Sequence, residues 1–399
     1  MAYPAPAGLS ETQLRDNIIV LDQALYALWH LGDNLIFAWT PEASGLRALV
    51  APHQMLTEFA LGDGDLAPDE LQRRARLLDG LLSSQAHLDP QAFDAVAAAL
   101  GIAPCAIALP FSPERGLGLP LIAAIAARYG VRLVEDRAVI LFDAVGFSLL
   151  TPLQQVVQLN SLSCSVNAAY AKLLDQEINI NFARTTTGDG FYIWNRMRGV
   201  EANVELYQLM QFILADNALA HERATRPESV PRLRACFHVG SHYEFYQSEG
   251  LNPTSFSYLV GQVTIELARM IDNAQPGQIL VGKFNTLMRD EASGEDVRID
   301  SLDFVERTRA PLRSLNGLKL AGSEVDEIAC YLTGRRDDAG LWGISEYHVA
   351  DKHGFIHRVY NAKINIHRRN GAPIYLGLRE EDLPPDARRT VADAQPPRG

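Results

Sequence analysis

The sequence predicts a protein in which helices pack on a sheet, α/β or α+β in class, and three observations carry that reading. From Val131 onward, apolar strand-like segments alternate with helical runs of about 12 to 25 residues. Before that point the chain reads as mainly helical, with a few short strands. Across 399 residues, 47% are hydrophobic and 21% charged, which excludes wholesale disorder, collagen-like repeats and a bundle of membrane helices. That length suits two to three domains.

Caps and breakers place the early elements. Ser10 and Gln13 form a capping-box signature ahead of Ile18, Val20, Leu21, Leu25 and Leu28, so a first helix runs to about Gly32. Leu35 to Trp39 reads as a strand. Pro68 opens a second helix through Leu82, Asp89 and Pro90 cap a third that stops at Gly101, and Pro120 to Arg128 forms a fourth ended by Gly130. The apolar stretch Ala95 to Phe111 is short for a membrane span, contains Pro104 and Pro110, and reads as a helix end plus a buried strand.

Val131 to Asp143 is an apolar strand that ends in a carboxylate. A helix from Pro152 to about Gln176 follows, then two strands around Thr187-Gly-Asp-Gly190, and a helix from Val200 to about Glu222. Next come a strand at Arg234 to Val239, an irregular stretch to Tyr258, a helix from Gly261 to Ala274 and a strand at Ile279 to Val281. Arg335 to Asp338 is a linker candidate. Beyond it lie strand-like segments at Ile364 to His367 and Ile374 to Leu376, a basic cluster from His353 to Arg369, and a proline-rich tail from Leu383.

A net charge of −12 argues against a broad nucleic-acid footprint or an anionic-membrane surface, yet leaves room for one small polyanionic substrate held locally. Cys105, Cys164, Cys236 and Cys330 show no CxxC or Cys/His spacing, so neither a zinc site nor a disulfide framework is expected. Scattered reduced thiols and an amino terminus without signal-peptide character point to a cytoplasmic protein with no membrane partner.

Two short segments could do chemistry. In Phe142-Asp-Ala-Val-Gly-Phe-Ser148 a strand delivers Asp143 to its carboxyl end, and backbone N–H groups follow at a turn through Gly146. A carboxylate for a cation beside amides for phosphate suits a metal-bound triphosphate, although a lone aspartate there also serves as a helix cap. In Thr185-Thr-Thr-Gly-Asp-Gly-Phe-Tyr192, Asp189 sits at a hairpin tip, where Asp-Gly is also an ordinary turn pair. Taken together, aspartates at two adjacent strand ends could bridge two magnesium ions.

These segments resemble the class III nucleotidyl cyclases. Asp143-Ala-Val-Gly-Phe-Ser148 is similar to that family's Asp-Ile-x-Gly-Phe-Thr segment, and Thr187-Gly-Asp-Gly190 to its Ile-Gly-Asp turn. Gly261 to Met270, ending Leu-Ala-Arg-Met, looks like the helix that carries Ala-Ser-Arg-Met, and Ala274-Gln-Pro-Gly-Gln-Ile-Leu280 like the segment after it. Pro311 to Ala321, with Gly317-Leu-Lys319, resembles the closing segment. The resemblance covers residues 133–333 and implies a ferredoxin-like α+β catalytic domain, a central, mostly antiparallel sheet with helices packed on it. It leaves a mainly helical N-terminal region at 1–132 with a regulatory role open to it, a small C-terminal sensing-type extension at 340–382 and a mobile tail at 383–399.

Carried over residue by residue, the resemblance makes Asp143 and Asp189 ligands of two Mg2+ or Mn2+ ions, with the Ala144 backbone near the second. Gly146, Phe147 and Ser148 would cradle the β- and γ-phosphates. Arg269 would stabilise the α-phosphate as the ribose 3′-oxygen attacks in line and pyrophosphate leaves. In the family, the aspartates and the arginine come from different protomers, so a homodimer is implied.

Three departures bear on the base. Where purine cyclases place a base-reading lysine or glutamate stands Thr185, at the second base-reading position stands Tyr258, and at the ribose-orienting asparagine stands Ile265. A tyrosine ring crowds a purine pocket, and a threonine leaves a purine edge underpaired. The combination resembles the bacterial anti-phage (Pycsar-type) pyrimidine cyclases, which implies UTP, ahead of CTP, as substrate and cyclic UMP as a second messenger for a separate effector. The alternatives are a divergent adenylate or guanylate cyclase and a catalytically silent cyclase-like domain. Among His238, His242, His353, His357 and His367, His353 and His357 stand four apart, a spacing that pairs ligands on a helix, but Gly354 and strand-like neighbours oppose a helix there, so they read as polar surface of the extension; Tyr243, Phe245 and Tyr246 read as a strand with aromatic packing, without the basic interleaving of a nucleic-acid platform.

Overall fold

In the computed structural model, residues 8–62, 66–83, 86–248, 255–313, 315–335, 343–350 and 355–385 are described. Most of the expected linker (336–338), His353 and the tail beyond 385 lie outside them. The chain divides into two compact units, Met1–Glu135 with His242–Val260, and Asp136–Ser241 with Gly261–Gly399. Among the described residues, no helix is long and apolar enough to cross a membrane.

The first unit opens with α1 (Glu11–Trp29), whose Ser10–Gln13 capping box forms as expected. Strands β1 (Asn34–Glu42) and β2 (Gly45–Pro52) make a hairpin. Helices α2 (Met55–Leu61), α3 (Pro68–Ser83) and α4 (Pro90–Leu100) follow, the last capped by the Asp89 side chain and closed by left-handed Gly101. Then β3 (Cys105–Ala108) joins β2, before α5 (Pro113–Gly116) and α6 (Leu119–Ala126). A three-stranded antiparallel sheet thus anchors a region read from the sequence as helices with isolated strands. The strand β2 escaped notice because Leu46, Ala48, Leu49 and Ala51 are all buried, so it lacks the polar alternation that marks a half-exposed strand.

From Val131 onward the chain is organised on one large sheet. Its elements are β4 (Val131–Ala144), α7 (Pro152–Leu174), β5 (Phe182–Thr186), β6 (Gly190–Asn195), α8 (Val200–Arg223), β7 (Leu233–Ser248), β8 (Ser255–Val260), α9 (Gln262–Asn273), β9 (Ile279–Gly282), β10 (Asn285–Arg289), β11 (Asp296–Asp300), α10 (Ser301–Arg313), β12 (Lys319–Leu320), β13 (Ser323–Thr333), β14 (Glu346–Ala350), β15 (Ile356–Arg368) and β16 (Gly371–Leu376). The strand order is β12-β13-β15-β9-β7-β4-β6-β5, with β14 and β16 on β15 and β8 on β7. The β7–β9 pair is parallel, while β4–β6, β5–β6, β9–β15 and β13–β15 are antiparallel.

Three features differ from the sequence reading. The stretch after Val239 is not irregular: β7 runs on to Ser248 and pairs with β8, a hairpin that belongs to the first unit. The segment read as a C-terminal extension supplies β14 to β16, with β15 lodged between β13 and β9 and Val359, Ala362, Ile364 and Ile366 buried. Order also continues past the expected start of the tail, since Leu383 is buried.

Strand alternation sorts the side chains of this sheet onto two faces. Ala138, Ile140 and Phe142 of β4, Phe191 and Ile193 of β6, and Ala235, Phe237 and Val239 of β7 join the core formed with α7 and α8. Their neighbours Leu141, Asp143, Tyr192, Arg234 and His238 point the other way. There α9 lies, tied down by the Tyr192 hydroxyl donating to the Thr264 carbonyl at 3.2 Å.

Candidate active site

Asp143 is the penultimate residue of β4, and its register partner on β6 is Gly190. The β5–β6 turn therefore brings Asp189 beside it, with the Ala144 N–H donating to the Asp189 carbonyl at 3.0 Å. Inside the turn, the Thr187 N–H donates to the Gly190 carbonyl at 3.0 Å and the Thr187 hydroxyl to Asp189 Oδ1 at 3.2 Å. Gly190 serves more than the turn. A Cβ there would run into the Phe142 carbonyl, so only glycine lets the two aspartate-bearing strands approach this closely.

The two carboxylates are unequal. Asp143 is 8% exposed, and burial pushes its carboxyl above the usual carboxylate range. Arg234 of β7 opposes that rise, its Nε donating to Asp143 Oδ2 at 2.7 Å, while the nearby Asp189 charge adds to it. A second Arg234 nitrogen donates to the Ala274 carbonyl at 3.1 Å, just past the end of α9, which fixes the guanidinium between helix and strand. Sequence reasoning missed Arg234. The signal lay only in strand parity, which turns Arg234 to the same face as Asp143.

Past Ala144 the chain turns through Gly146 at φ 71°, a left-handed value that glycine adopts without strain, into a single 3-10 turn at Phe147–Leu149. The long helix does not follow directly; Thr151 caps α7 with its own capping box. The Val145 N–H donates to the Arg232 carbonyl at 2.9 Å. Among the described residues, the N–H groups of Gly146, Phe147 and Ser148 have no hydrogen-bond partner, and Gly146 and Ser148 are exposed. A turn with consecutive unsatisfied N–H groups is an anion cradle.

The remaining candidates occupy distinct places. Thr185 is exposed on β5 and registers with Tyr192, on the Asp143 face. Tyr258, 42% exposed on β8, stacks on Phe245 with centroids 5.5 Å apart and belongs to the first unit. Arg269 is half-buried on α9, where Val263, Leu267 and Met270 form the buried side and Ile265 is exposed.

The histidines need one correction. His357 is not surface of an extension: it is buried on β15, with Nδ1 2.5 Å from Glu266 Oε2 of α9. His238 is buried on the same sheet, and desolvation pulls its pKa down to about 4, so it stays neutral. Among the described residues, no group of three or more His, Cys, Asp or Glu is arranged to hold a metal, and all four cysteines are free.

No protein-family model and no curated protein matches the sequence. Several solved structures are similar to it. One is the guanylate cyclase domain of RhGC from Catenaria anguillulae in complex with GTP, at 11% identity over 60% of this chain and 99% of that one, TM-score 0.33. Another is the adenylyl cyclase CyaB from P. aeruginosa, at 12% identity over 61% of this chain and 99% of that one, TM-score 0.31. A third is the monomeric guanylyl cyclase domain of the RhoGC fusion protein from the aquatic fungus Blastocladiella emersonii, at 14% identity over 40% of this chain and 92% of that one, TM-score 0.29. Likeness at this level says what the chain resembles, and its chemistry has to be read from its own residues.

Proposed function

We propose that this chain is a nucleotidyl cyclase that converts a pyrimidine nucleoside triphosphate, UTP ahead of CTP, to a 3′,5′-cyclic nucleotide and pyrophosphate. The observation that carries the reading is the meeting of Asp143 and Asp189 at one corner of the sheet, next to a turn with unbonded N–H groups. Two carboxylates suit Mg2+ or Mn2+, which complete their shells with phosphate oxygens and water. The repulsion from Asp189 that helps lift Asp143 is also what a cation relieves. Two bound ions would supply activation of the ribose 3′-hydroxyl and neutralisation of the departing pyrophosphate.

The chain's own residues do the rest. Arg234 favours the ionised form of Asp143 and fixes its orientation. The Gly146, Phe147 and Ser148 amides bind the β- and γ-phosphates, with the Ala144 backbone beside the ion site. Arg269 stabilises charge on the α-phosphate as the 3′-oxygen displaces pyrophosphate. The resemblance has a second copy of the chain donate Arg269, which makes the active assembly a homodimer. Leu149, Leu153 and Val156, exposed at 88%, 74% and 64%, mark an apolar surface suited to such a partner.

Base choice is assigned to Thr185, short and exposed on the Asp143 face, and, from the sequence match alone, to Tyr258. Both favour a small base over a purine. The cyclic product would act as a second messenger for a separate effector in anti-phage defence. The test is to incubate the purified chain with each of the four ribonucleoside triphosphates and Mn2+ and identify products by mass. Cyclic UMP is expected to dominate. Dominant cyclic AMP overturns the pyrimidine assignment, and no cyclic product from any substrate overturns the cyclase reading.

A further inference from the structure

Behind the aspartate corner lies a second cavity that this chemistry does not use. It encloses about 350 Å³ between the end of α8, the start of β7, the α9–β9 turn and β16. That volume is in the range of sites for small organic ligands. Leu214, Leu376 and Leu378 give it apolar walls, and the largely exposed Tyr375 ring stands at its edge.

Among the described residues, two polar groups in its lining have no hydrogen-bond or ion-pair partner, the buried Asn217 Nδ2 and the exposed Arg232 guanidinium. Asn217 is 5% exposed, and its Nδ2 has no hydrogen-bond partner among the described residues. A buried amide left in this way costs about 1 to 3 kcal/mol unless water or a ligand satisfies it. The Arg232 side chain also makes no ion pair or hydrogen bond among the described residues. Elsewhere in this unit, arginines such as Arg198 and Arg234 hold carboxylates. An amide and a guanidinium facing one apolar-walled cavity describe a ligand with a planar ring, an amide-like edge for Asn217 and one anionic group for Arg232.

We propose that this cavity is a second binding site, for a small ring-bearing organic monoanion distinct from the triphosphate. Its place makes it a regulatory site. The Arg232 carbonyl accepts from the Val145 N–H of the phosphate turn, and Arg234, two residues on, holds Asp143. An anion that draws on Arg232 therefore acts on the backbone that sets both.

The test is calorimetric titration of the full chain, without triphosphate or metal, using orotate, benzoate and inorganic phosphate. Orotate carries the ring, the amide edge and the carboxylate; benzoate lacks the amide edge; phosphate lacks the ring. Orotate is expected to bind at least tenfold more tightly than either of the others. Arg232→Ala, a change at an exposed side chain, should weaken orotate at least tenfold, and Asn217→Leu should weaken orotate several-fold while leaving benzoate unchanged. No orotate binding to the native chain, or equal binding to native and Arg232→Ala proteins, overturns the site. Because the readout is binding without triphosphate, the result stands apart from whether the chain cyclises a nucleotide.

Discussion

On one face of the central sheet Ile140, Phe142 and Phe237 close against α7 and α8, while on the other their sequence neighbours Asp143, Arg234 and His238 meet polar partners or stand buried without charge. The same two strands, β4 and β7, make both surfaces, so parity alone separates the residues packed in the core from those that face α9. The first face is held mainly by apolar burial, with Asn203 of α8 accepting from the Ala138 N–H; the second carries a raised carboxylate and a depressed imidazole, both at odds with burial.

Substitution should divide the faces cleanly. Asp143→Asn or Asp189→Asn should lower cyclic-nucleotide production by roughly a thousandfold or more. Because the folded-state pKa of Asp143 lies above its ordinary value, the fold prefers the neutral form: acidification through that pKa stabilises the fold while removing the charge a cation needs. Asp143→Asn should accordingly melt at or above the native temperature. Phe142→Ala, one residue away, should instead lose about 3 to 5 kcal/mol in denaturant titrations. A thermal scan in which Asp143→Asn is the less stable of the two would erase the contrast.

The second face should also be divisible between chains. Asp143→Ala and Arg269→Ala proteins, each inactive alone, should recover about a quarter of native activity when mixed and allowed to exchange, because half the dimers then contain one intact site. Continued inactivity despite exchange means that one chain builds the whole site.

His238 contributes to the pH dependence of stability. Its depressed pKa, about 4 against 6.5, makes the neutral form the folded one, so its contribution is complete above pH 6.5 and is lost as pH falls towards 4. The loss approaches about 3 kcal/mol. His238→Leu should flatten the stability profile between those pH values; an unchanged slope would assign it to other groups.

Arg234→Gln should reduce activity ten- to a hundredfold, the usual worth of a charge-assisted bond of about 1.5 to 3 kcal/mol. It should also move the acid limb of kcat/KM to higher pH, since Arg234 is what opposes the rise in Asp143. The smallest change is one of preference: Thr185→Lys with Tyr258→Asp should shift the ATP-to-UTP ratio towards ATP by about tenfold. A fixed ratio would show that neither residue reads the base.

What the sequence made legible was local. The strand end at Asp143, the turns at Gly146 and Asp189 and the start of α9 are short-range features that a few residues indicate, while the roles given to Asp143, Asp189 and Arg269 come from the resemblance. The capping box of α1 and the glycine stop of α4 were readable for the same reason. Arg234 was not, because Arg232-Leu-Arg234 is an ordinary polar alternation until register with β4 is known. Nor was the Glu266–His357 bond, made across 91 positions of the chain. The hairpin β10–β11 and helix α10 are absent from the sequence reading, and α10 carries Pro311, a residue that works against a helix interior.

The position of β15 has a consequence for how the protein is made. This strand sits between β9 and β13, pairing with Leu280 to Gly282 on one side and with Val325 to Thr333 on the other. During synthesis both of those strands leave the ribosome before β15 does, each with an open hydrogen-bonding edge awaiting a strand yet to be translated. The sheet closes only when residues 356–368 arrive, so the nascent chain spends this interval exposed to edge-to-edge association. Message truncation or proteolysis ahead of Ile356 therefore leaves a split in the middle of the sheet rather than a shortened protein.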